Sequence, residues 1–591
     1  MLSDLVQTLL HKRGITDAGE IEKFLRPDFA RDKHDPFLLH DMERAVVRVF
    51  AAMTANEKIA VYSDFDCDGI PGAAILYDFF QKIKYADISV YIPHRDREGY
   101  GFHASAVDEL AGKGVSLIIT VDVGGAAVET VAYAKEKGID VIICDHHEIT
   151  PVREPQAASN GAGQLPGAYA FINPKLGTYP SKDLCGAAVA WKLVCALLIE
   201  GRKRGLENFV AIPEGWEKWL LDLVAIATVA DLVPLVGENR ALAHFGLTVL
   251  RKSRRAGIKA LCSAARVRQS DITEDDIGFS FAPRINAASR MDEPELAFRL
   301  LTTASATEAE ELAAHLESLN RKRRGVVAAI VREAKSRVKV RYSAQDFVVV
   351  LGDTTWKPAL MGLAANSIME DRGGVALMWG KDINGKLKGS ARSDGSISVV
   401  ELFARAGDAF EEFGGHHASG GFTISREHVH TLPEVLAKAA EELKKAAEKK
   451  EEKQSDPVRG QPQAAAEHEV QASNGADADL MLREVSLTLL RELAALAPFG
   501  MGNPKPLFRV RNARITFARQ FGKEMNHTEV TVVCSESGVQ HRAFQFFKTP
   551  MDFTLAPSPG TAADLLATIE RDSFRGPDRL ALRIADIVHP R

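Results

Sequence analysis

Lys58-Ile-Ala-Val-Tyr-Ser-Asp-Phe-Asp-Cys-Asp-Gly69 is the stretch on which the fold turns. Its first half, Lys58 to Ser63, is a short apolar run of strand composition, and the acidic AspXaaAspXaaAspGly segment after it cannot continue a buried strand. The same alternation recurs outward from it. Ile88 to Ile92, Val115 to Val121 and Ile139 to Cys144 are further short apolar runs, while Gly72 to Lys84 and Gly125 to Lys137 have helical composition. Strands alternating with helices predict βαβ units and a mostly parallel, doubly wound α/β sheet covered on both faces.

Farther out the pattern changes. Leu5 to Phe50 reads as a small helical lead-in interrupted near Pro27 and Pro36, and Thr307 to Val338, with a single Gly at Gly325, as a long connecting helix. Phe347 to Leu351, Gly374 to Trp379 and Gly385 to Ser390 suggest strands of a smaller α/β unit ending near Ile424. Lys444 to Asp479, a charge run followed by Gln, Pro, Ala and Gly without periodicity, reads as a mobile linker. Beyond Pro504, Leu507 to Val510, Glu529 to Val533 and Arg542 to Phe547 suggest a small all-β module. The expected division is a lead-in over 1–50, a first α/β domain over 51–304, a connecting helix over 305–340, a second domain over 341–430, a linker over 431–484 and a β module over 485–591.

Composition bounds the function. At 591 residues the chain exceeds one hydrophobic core, and 46% hydrophobic with 26% charged residues excludes a disordered or membrane-embedded protein. No run approaches the roughly 20 apolar residues of a spanning helix, and Met1 to Gly14 lacks an apolar signal core, so a cytoplasmic protein is expected. Six cysteines without a CxxC pair indicate neither a disulfide framework nor a zinc cluster. A formal charge of −5 gives no support to wholesale nucleic-acid coating, so any such track must be a local basic channel.

The strongest chemical signal is that strand after strand ends in an acid: Asp64, Asp66 and Asp68 after the first, Asp122 in ThrValAspValGlyGly, and Asp-His-His at Asp145 to His147. Asp231, after the apolar run Leu220 to Ala230, is a further candidate. In an open α/β sheet, ligands collect at the carboxyl ends of the strands, so these segments can converge. Packed carboxylates repel one another unless a cation neutralises them, and oxygen-rich ligation with one or two imidazoles suits Mg²⁺ or Mn²⁺ better than zinc. Two such ions about 3.5–4 Å apart would serve phosphodiester hydrolysis. Plainer readings exist for each piece: a calcium loop for AspXaaAspXaaAsp, although the later Glu of an EF-hand is missing, a helix cap for Asp122, a capped turn for AspHisHis. Their coincidence at one sheet edge favours metal.

These segments, with ThrValAlaAspLeuValPro at Thr228 to Pro234, resemble the DHH phosphoesterase superfamily. Within it, the chain is similar to the RecJ family at Tyr91 to Arg95, Glu98 to Gly101, Pro283 to Arg290, Gly389 to Ser393, Gly414 to Gly421 and Pro498 to Pro504. The resemblance implies a DHH catalytic domain, a DHH-associated substrate-binding domain and a C-terminal OB-fold-like module. It implies a 5′ to 3′ exonuclease of single-stranded DNA acting in recombination and repair, with two divalent ions, Mn²⁺ or Mg²⁺. By the same resemblance Asp66 would bind one ion, assisted by Asp64, Asp68 the other, Asp122 would bridge, and His146 and Asp231 would complete the second site. His147 would polarise or hold the scissile phosphate. Arg95, Arg284, Arg290, Ser390 and Arg392 match the neighbourhood of a 5′-phosphate pocket, and Gly414, Gly415 and His416 a strand contact. A single-strand-binding protein, a helicase or a mismatch-repair factor is the implied protein partner.

Ser63, Val123, Gly125, Ser289 and Lys357 depart from the family pattern without removing a proposed ligand, leaving metal preference and the grip near Trp356 open. Two other functions fit the same motifs: a phosphodiesterase of oligoribonucleotides or cyclic dinucleotides, disfavoured by the extra β module, and a non-catalytic DNA-binding scaffold, disfavoured by the full ligand set. Arg321 to Arg324 and Arg251 to Arg255 could line a strand groove or be solvated helix faces. Phe508, Phe517, Phe521, Phe544, Phe546 and Phe547 divide between base stacking and barrel filling, most being expected in the core.

Overall fold

The computed structural model describes residues 3–149, 165–454, 475–572 and 579–590. The chain divides into two compact units, one of Asp35–Asp231 with Gly246–Glu469, the other of Met1–His34, Leu232–Phe245 and Val470–Arg591.

In the larger unit, β1 (Lys58–Ser63), β2 (Ile88–Tyr91), β3 (Val115–Val121), β4 (Asp140–Cys144) and β5 (Ala170–Ile172) form a parallel sheet in the order β2-β1-β3-β4-β5. The first four strands fall on the apolar runs; β5, three residues long, is too short to carry a pattern. On one face Ala60, Tyr62 and Ile118 pack against Phe102, Val107 and Leu110 and against Val131 and Ala134 of the helix Val128–Glu136. Helices Gly69–Lys82 and Gly186–Lys203 are apolar on nearly every side, as a helix inside a protein must be. Gly72 permits the first of these to lie close, since a Cβ there would come within 2.5 Å of Val121 Cγ1 and 3.1 Å of Ala187 Cα. Each fully buried Ile or Leu contributes roughly 1.5–3 kcal/mol, so the strands make a rigid base for the acidic turns at their ends. Strand order reverses between β1 and β3, and at such a switch point the carboxyl ends open a crevice.

The helix Ala306–Arg341 begins at Ser305, whose Oγ accepts from Glu308 N at 3.3 Å. Its Ile330, Ala334 and Val338 pack with Leu351, Leu360, Met361 and Met378 of a second sheet and its flanking helix. That sheet contains β6 (Val348–Gly352), β7 (Val375–Lys381), β8 (Leu387–Ser393), β9 (Phe410–Gly415) and β10 (Ser419–Ile424), in the order β6-β7-β8-β10-β9. One stretch gains a structure its glycines did not suggest, and one expectation changes. Gly414 to Gly421 is largely strand, with Gly415 opposite Gly420 and Gly414 opposite Gly421 across a tight hairpin; ladder hydrogen bonds outweigh glycine's poor strand propensity. The linker expected from residue 431 is instead helix over Leu432–Gln454, because Leu432, Leu436, Ala439, Ala440 and Leu443 keep an apolar stripe buried in this domain's core. Residues 455–474 of that expectation lie outside the described residues.

In the smaller unit, β11 (Ala478–Met481), β12 (Phe508–Phe521), β13 (His527–Cys534), β14 (Gln540–Gln545), β15 (Ala562–Arg571) and β16 (Leu580–Val588) run in the order β11-β12-β13-β14-β16-β15, and pairing of β12 with β15 closes the barrel. Closure removes the barrel's exposed edges. Phe508, Val510, Ile515, Val532, Leu565 and Ile584 fill it, and Val6, Leu9 and Leu10 of the helix Asp4–Lys12 join the same core. The expected lead-in is therefore divided, its first part belonging with the barrel. Pro498 to Pro504 is held by polar side chains. The Arg240 guanidinium donates to Leu496 O at 3.0 Å and Ala497 O at 2.9 Å, and Asn503 Nδ2 donates to Pro498 O at 2.7 Å. Of the six phenylalanines named above only Phe508 and Phe544 are buried; Phe517 and Phe547 are exposed, contrary to the expectation that most are core. No helix among the described residues is long and apolar enough to cross a membrane.

Candidate active site

The end of β1 is built by backbone contacts. Asp64 N donates to Val121 O at 3.1 Å, tying the chain leaving β1 to β3. Asp66 Oδ1 then accepts from Asp68 N at 2.8 Å and Gly69 N at 3.2 Å, a turn that starts the helix Gly69–Lys82. Gly69 is required there, because a Cβ would come within 2.4 Å of Asp64 O. The Asp68 carboxylate sits on another helix terminus, its oxygens accepting from Gly186 N at 2.6 Å and Ala187 N at 2.8 Å. Free N–H groups and the helix dipole make that end a natural seat for a carboxylate. Gly186 also clears space for Asp122, whose Cβ a side chain at 186 would approach within 2.6 Å.

Asp122 has φ 62°, a left-handed conformation uncommon outside glycine, and its N donates to Cys144 O at 2.9 Å. It caps no helix: the helix Val128–Glu136 starts at Ala127. Asp231 follows the buried helix Leu221–Ala230, which is what the apolar run before it forms. His146 Nε2 lies 3.1 Å from Asp122 Oδ1, 3.6 Å from Asp68 Oδ2 and 3.6 Å from Asp231 Oδ2. Donor atoms of Asp64, Asp66 and Asp122 fall within 4.8 Å of one another, as do those of Asp68, His146 and Asp231, and those of Asp122, His146 and His147.

The electrostatics demand a counter-charge. Burial, reinforced by Asp66, pushes Asp68 up to about 6, and burial with Asp68 and Asp66 pushes Asp231 up to about 9. Asp64 and Asp122 are raised well above the ordinary carboxylate range, burial leading and the neighbouring acids adding. Asp64 Oδ1 and Asp122 Oδ1 are buried without a hydrogen-bond partner, the state of an oxygen that has a cation as its partner. The trios Asp64–Asp66–Asp122 and Asp68–His146–Asp231, oxygen-rich with one imidazole between them, fit Mg²⁺ or Mn²⁺.

Asp145, not singled out as a site residue in the sequence, organises the imidazoles. Its Oδ1 accepts from His146 N at 2.8 Å and lies 2.7 Å from His147 Nδ1, while Oδ2 accepts from Gly125 N at 2.8 Å. Burial would lower the His147 pKa, but the hydrogen bond and charge of Asp145 outweigh it and raise it to about 9. His146 goes the other way, to about 3, through burial and the adjacent His147, which leaves it neutral and able to ligate. The His416 ring stacks on His147 at 5.7 Å and 19°. Asn173 Nδ2 donates to His147 O at 3.1 Å, and Lys175 Nζ donates to Glu148 at 2.6 Å.

Beside the acids lies a cluster of arginines. Arg95 stands over the Phe65 ring at 4.6 Å, Arg290 Nη1 donates to Ala359 O at 2.7 Å, and Arg392 Nη1 donates to Ala391 O at 2.8 Å. Ser390 and Arg392, two apart on β8, share one face. Burial and the like charges of Arg95 and Arg323 lower Arg290 to about 9. No carboxylate forms an ion pair with Arg95, Arg290 or Arg392 among the described residues, as expected of an anion site. Arg284 differs: Nη2 pairs with Glu317 at 2.7 Å and Nη1 donates to Ser280 O at 2.7 Å, so it ties two helices together. Arg323, on the long helix, is the member that sequence reading left inside a generic basic run. Arg255 of the other basic run is committed to Asp78 and Asp222. Lys357 pairs with Asp96 at 2.8 Å.

Comparison with known proteins follows the same architecture. The DHH family N-terminal domain matches residues 58–228, the DHHA1 domain 343–449 and the RecJ OB domain 476–586. The single-stranded-DNA-specific exonuclease RecJ of Salmonella typhimurium (strain LT2) is 30% identical over 599 residues, covering 99% of this chain and 96% of that protein. The chain belongs to the RecJ family. RecJ of Bacillus subtilis (strain 168) is 35% identical over 536 residues, 90% of this chain, and the chain spans 62% of that longer relative's length. The crystal structure of RecJ in complex with Mn²⁺ from Thermus thermophilus superposes with a TM-score of 0.75 at 26% identity, covering 99% of this chain and 76% of that one.

Proposed function

We propose that the chain hydrolyses single-stranded DNA from its 5′ end as a metal-dependent exonuclease of recombination and repair. The observation that carries this is the pair of trios Asp64–Asp66–Asp122 and Asp68–His146–Asp231, with His146 Nε2 3.1 Å from Asp122 Oδ1 and with oxygens on Asp64 and Asp122 that are buried and accept no hydrogen bond. The relatives, named as single-stranded-DNA-specific exonucleases, supply the substrate class.

In this reading Asp64 and Asp66 hold one divalent ion, Asp68, His146 and Asp231 the other, and Asp122 bridges. Bound there, Mg²⁺ or Mn²⁺ would supply activated water and charge neutralisation at the scissile phosphate. The protein does the positioning. Asp145 holds His147 through Nδ1, which leaves Nε2 turned toward a phosphate oxygen. Arg95, Arg290, Arg392 and Ser390 receive the terminal 5′-phosphate, which sets the polarity of digestion. Gly414, Gly415 and His416 line the strand, glycines allowing the backbone to approach phosphate. Six buried cysteines, none in a disulfide, support a cytoplasmic setting. A single-strand-binding protein, helicase or mismatch-repair partner rests on family resemblance alone.

The test is a matrix of metals against substrates with end-labelled strands. Labelled mononucleotide should appear first from the 5′ end of a phosphorylated single strand with Mn²⁺ or Mg²⁺, and not in EDTA. Cleavage confined to dinucleotides or to duplex would overturn it.

A further inference from the structure

Tyr100 belongs to a motif, GluGlyTyrGly, that the roles above leave unused. Its segment is anchored on both sides. Glu98 accepts from Tyr91 Oη at 2.7 Å and His94 N at 2.6 Å, and Gly101 O accepts from Tyr62 Oη at 2.7 Å. Between these anchors Gly99 (φ 88°) and Gly101 (φ 127°) adopt conformations that a side chain would strain, and they turn Tyr100 outward, 56% exposed. The exposed ring does not point into open solvent. Its hydroxyl lies 3.3 Å from His147 Nε2, with ring centroids 5.9 Å apart.

Because Asp145 occupies Nδ1, Nε2 is the one ring nitrogen of His147 left to meet a substrate, and the Tyr100 hydroxyl is beside it. The two atoms are 3.3 Å apart, close enough for one phosphate oxygen to sit beside both, at an ordinary hydrogen-bond distance of about 2.7–3.1 Å from the hydroxyl. A phenol, with an ordinary pKa near about 10, keeps its proton at neutral pH. We propose that Tyr100 is a catalytic residue whose hydroxyl donates to the non-bridging oxygen of the scissile phosphate that faces His147 Nε2. This rests on the nuclease reading. Between turnovers the hydroxyl lies against Nε2; a bound strand brings its phosphate oxygen between the two groups, and the hydroxyl's bond to it strengthens as charge accumulates on that oxygen.

The experiment uses the full chain with Mn²⁺ and a 5′-phosphorylated single strand, as wild type and as Tyr100→Phe, which keeps the ring and its packing. The expected result is a kcat lowered roughly 10²-fold, the loss typical of one deleted oxyanion donor, with KM and strand binding in EDTA at wild-type values. Replacing one non-bridging oxygen of the first linkage by sulfur gives two diastereomers. The slowing caused by one of them should shrink in Tyr100→Phe, a readout that mere packing would not move. A variant with wild-type kcat, a loss confined to KM, or unchanged sulfur effects in both diastereomers overturns the proposal while leaving the nuclease reading intact. A wild type that leaves the strand uncut overturns that reading and this proposal with it.

Discussion

The acids at the ends of β1, β3 and β4 and the arginines at 95, 290 and 392 concentrate opposite charges in one unit, but they are built differently. Each acid is held by nearby backbone: Asp66 by its own turn, Asp68 by the first two amides of a helix, Asp122 by a left-handed residue at a strand end. The arginines arrive from four separate segments when Arg323 is counted, and Arg290 and Arg392 are steered by carbonyl oxygens. Neither cluster neutralises itself. Their construction shows what each awaits: fixed oxygens pre-shape a site for cations, whereas guanidinium forks, each with N–H groups to spare, suit a flexible anionic end.

The largest effect should come from Asp122→Ala, which removes the buried carboxylate that lies within reach of Asp64, Asp66 and His146. Turnover should fall by on the order of 10³-fold or more while gel-shift binding of the strand persists. Undiminished cleavage would break the bridging role. A smaller effect separates two arginines that looked alike in sequence. Arg284→Gln removes the shortest of Glu317's ion pairs, leaving Arg321 at 3.6 Å, and should cost about 2 kcal/mol of stability in denaturant melts, with no change in end preference among molecules still folded. Arg290→Gln should leave the melt nearly unchanged and reduce the preference for 5′-phosphate over 5′-hydroxyl ends about tenfold, one charge-assisted contact. Exchanged outcomes would mean that the cluster has been drawn around the wrong arginine.

The smallest effect is a slope. In metal-free protein Asp231 keeps its proton to about pH 9, whereas an unfolded aspartate loses it near about pH 4. The unfolded chain then binds fewer protons, so stability falls as pH rises towards 9. His147, raised to about 9, acts in the same direction above about pH 6.5; His146, lowered to about 3, opposes only below it. Thermal melts in EDTA should drop from pH 7 to pH 9, and saturating Mg²⁺ should flatten the trend. A melting temperature that rises over this interval would contradict the crowding of the acids.

The same contrast explains what was legible in the sequence. Asp64, Asp66 and Asp68 lie within five residues of one another, and a strand end is where a crevice must open, so local pattern sufficed. Asp145 was quoted for its histidines, while its own role depends on which ring nitrogen it meets, a matter of rotamer. Arg284 and Arg290 stand six residues apart with the same motif around them; only Glu317, on another helix, tells them apart. The helix over Leu432–Gln454 follows from the spacing of Leu432, Leu436, Ala439, Ala440 and Leu443, a stripe that the lysine and glutamate run after it obscures. β9 and β10 were not readable, since their glycines carry no strand preference and pairing alone makes them strands.

The helix Asp4–Lys12 shares its core with strands that end at Val588. During synthesis, at roughly 5–20 residues per second, its leucines leave the ribosome about half a minute or more before the last of those strands exists. The barrel can seal only once the strand ending at Val588 has emerged, so shorter nascent chains carry an apolar helix without its mate, and a chaperone that shelters such helices should crosslink to Leu9 and Leu10 in chains stalled before that strand but not in chains that include it.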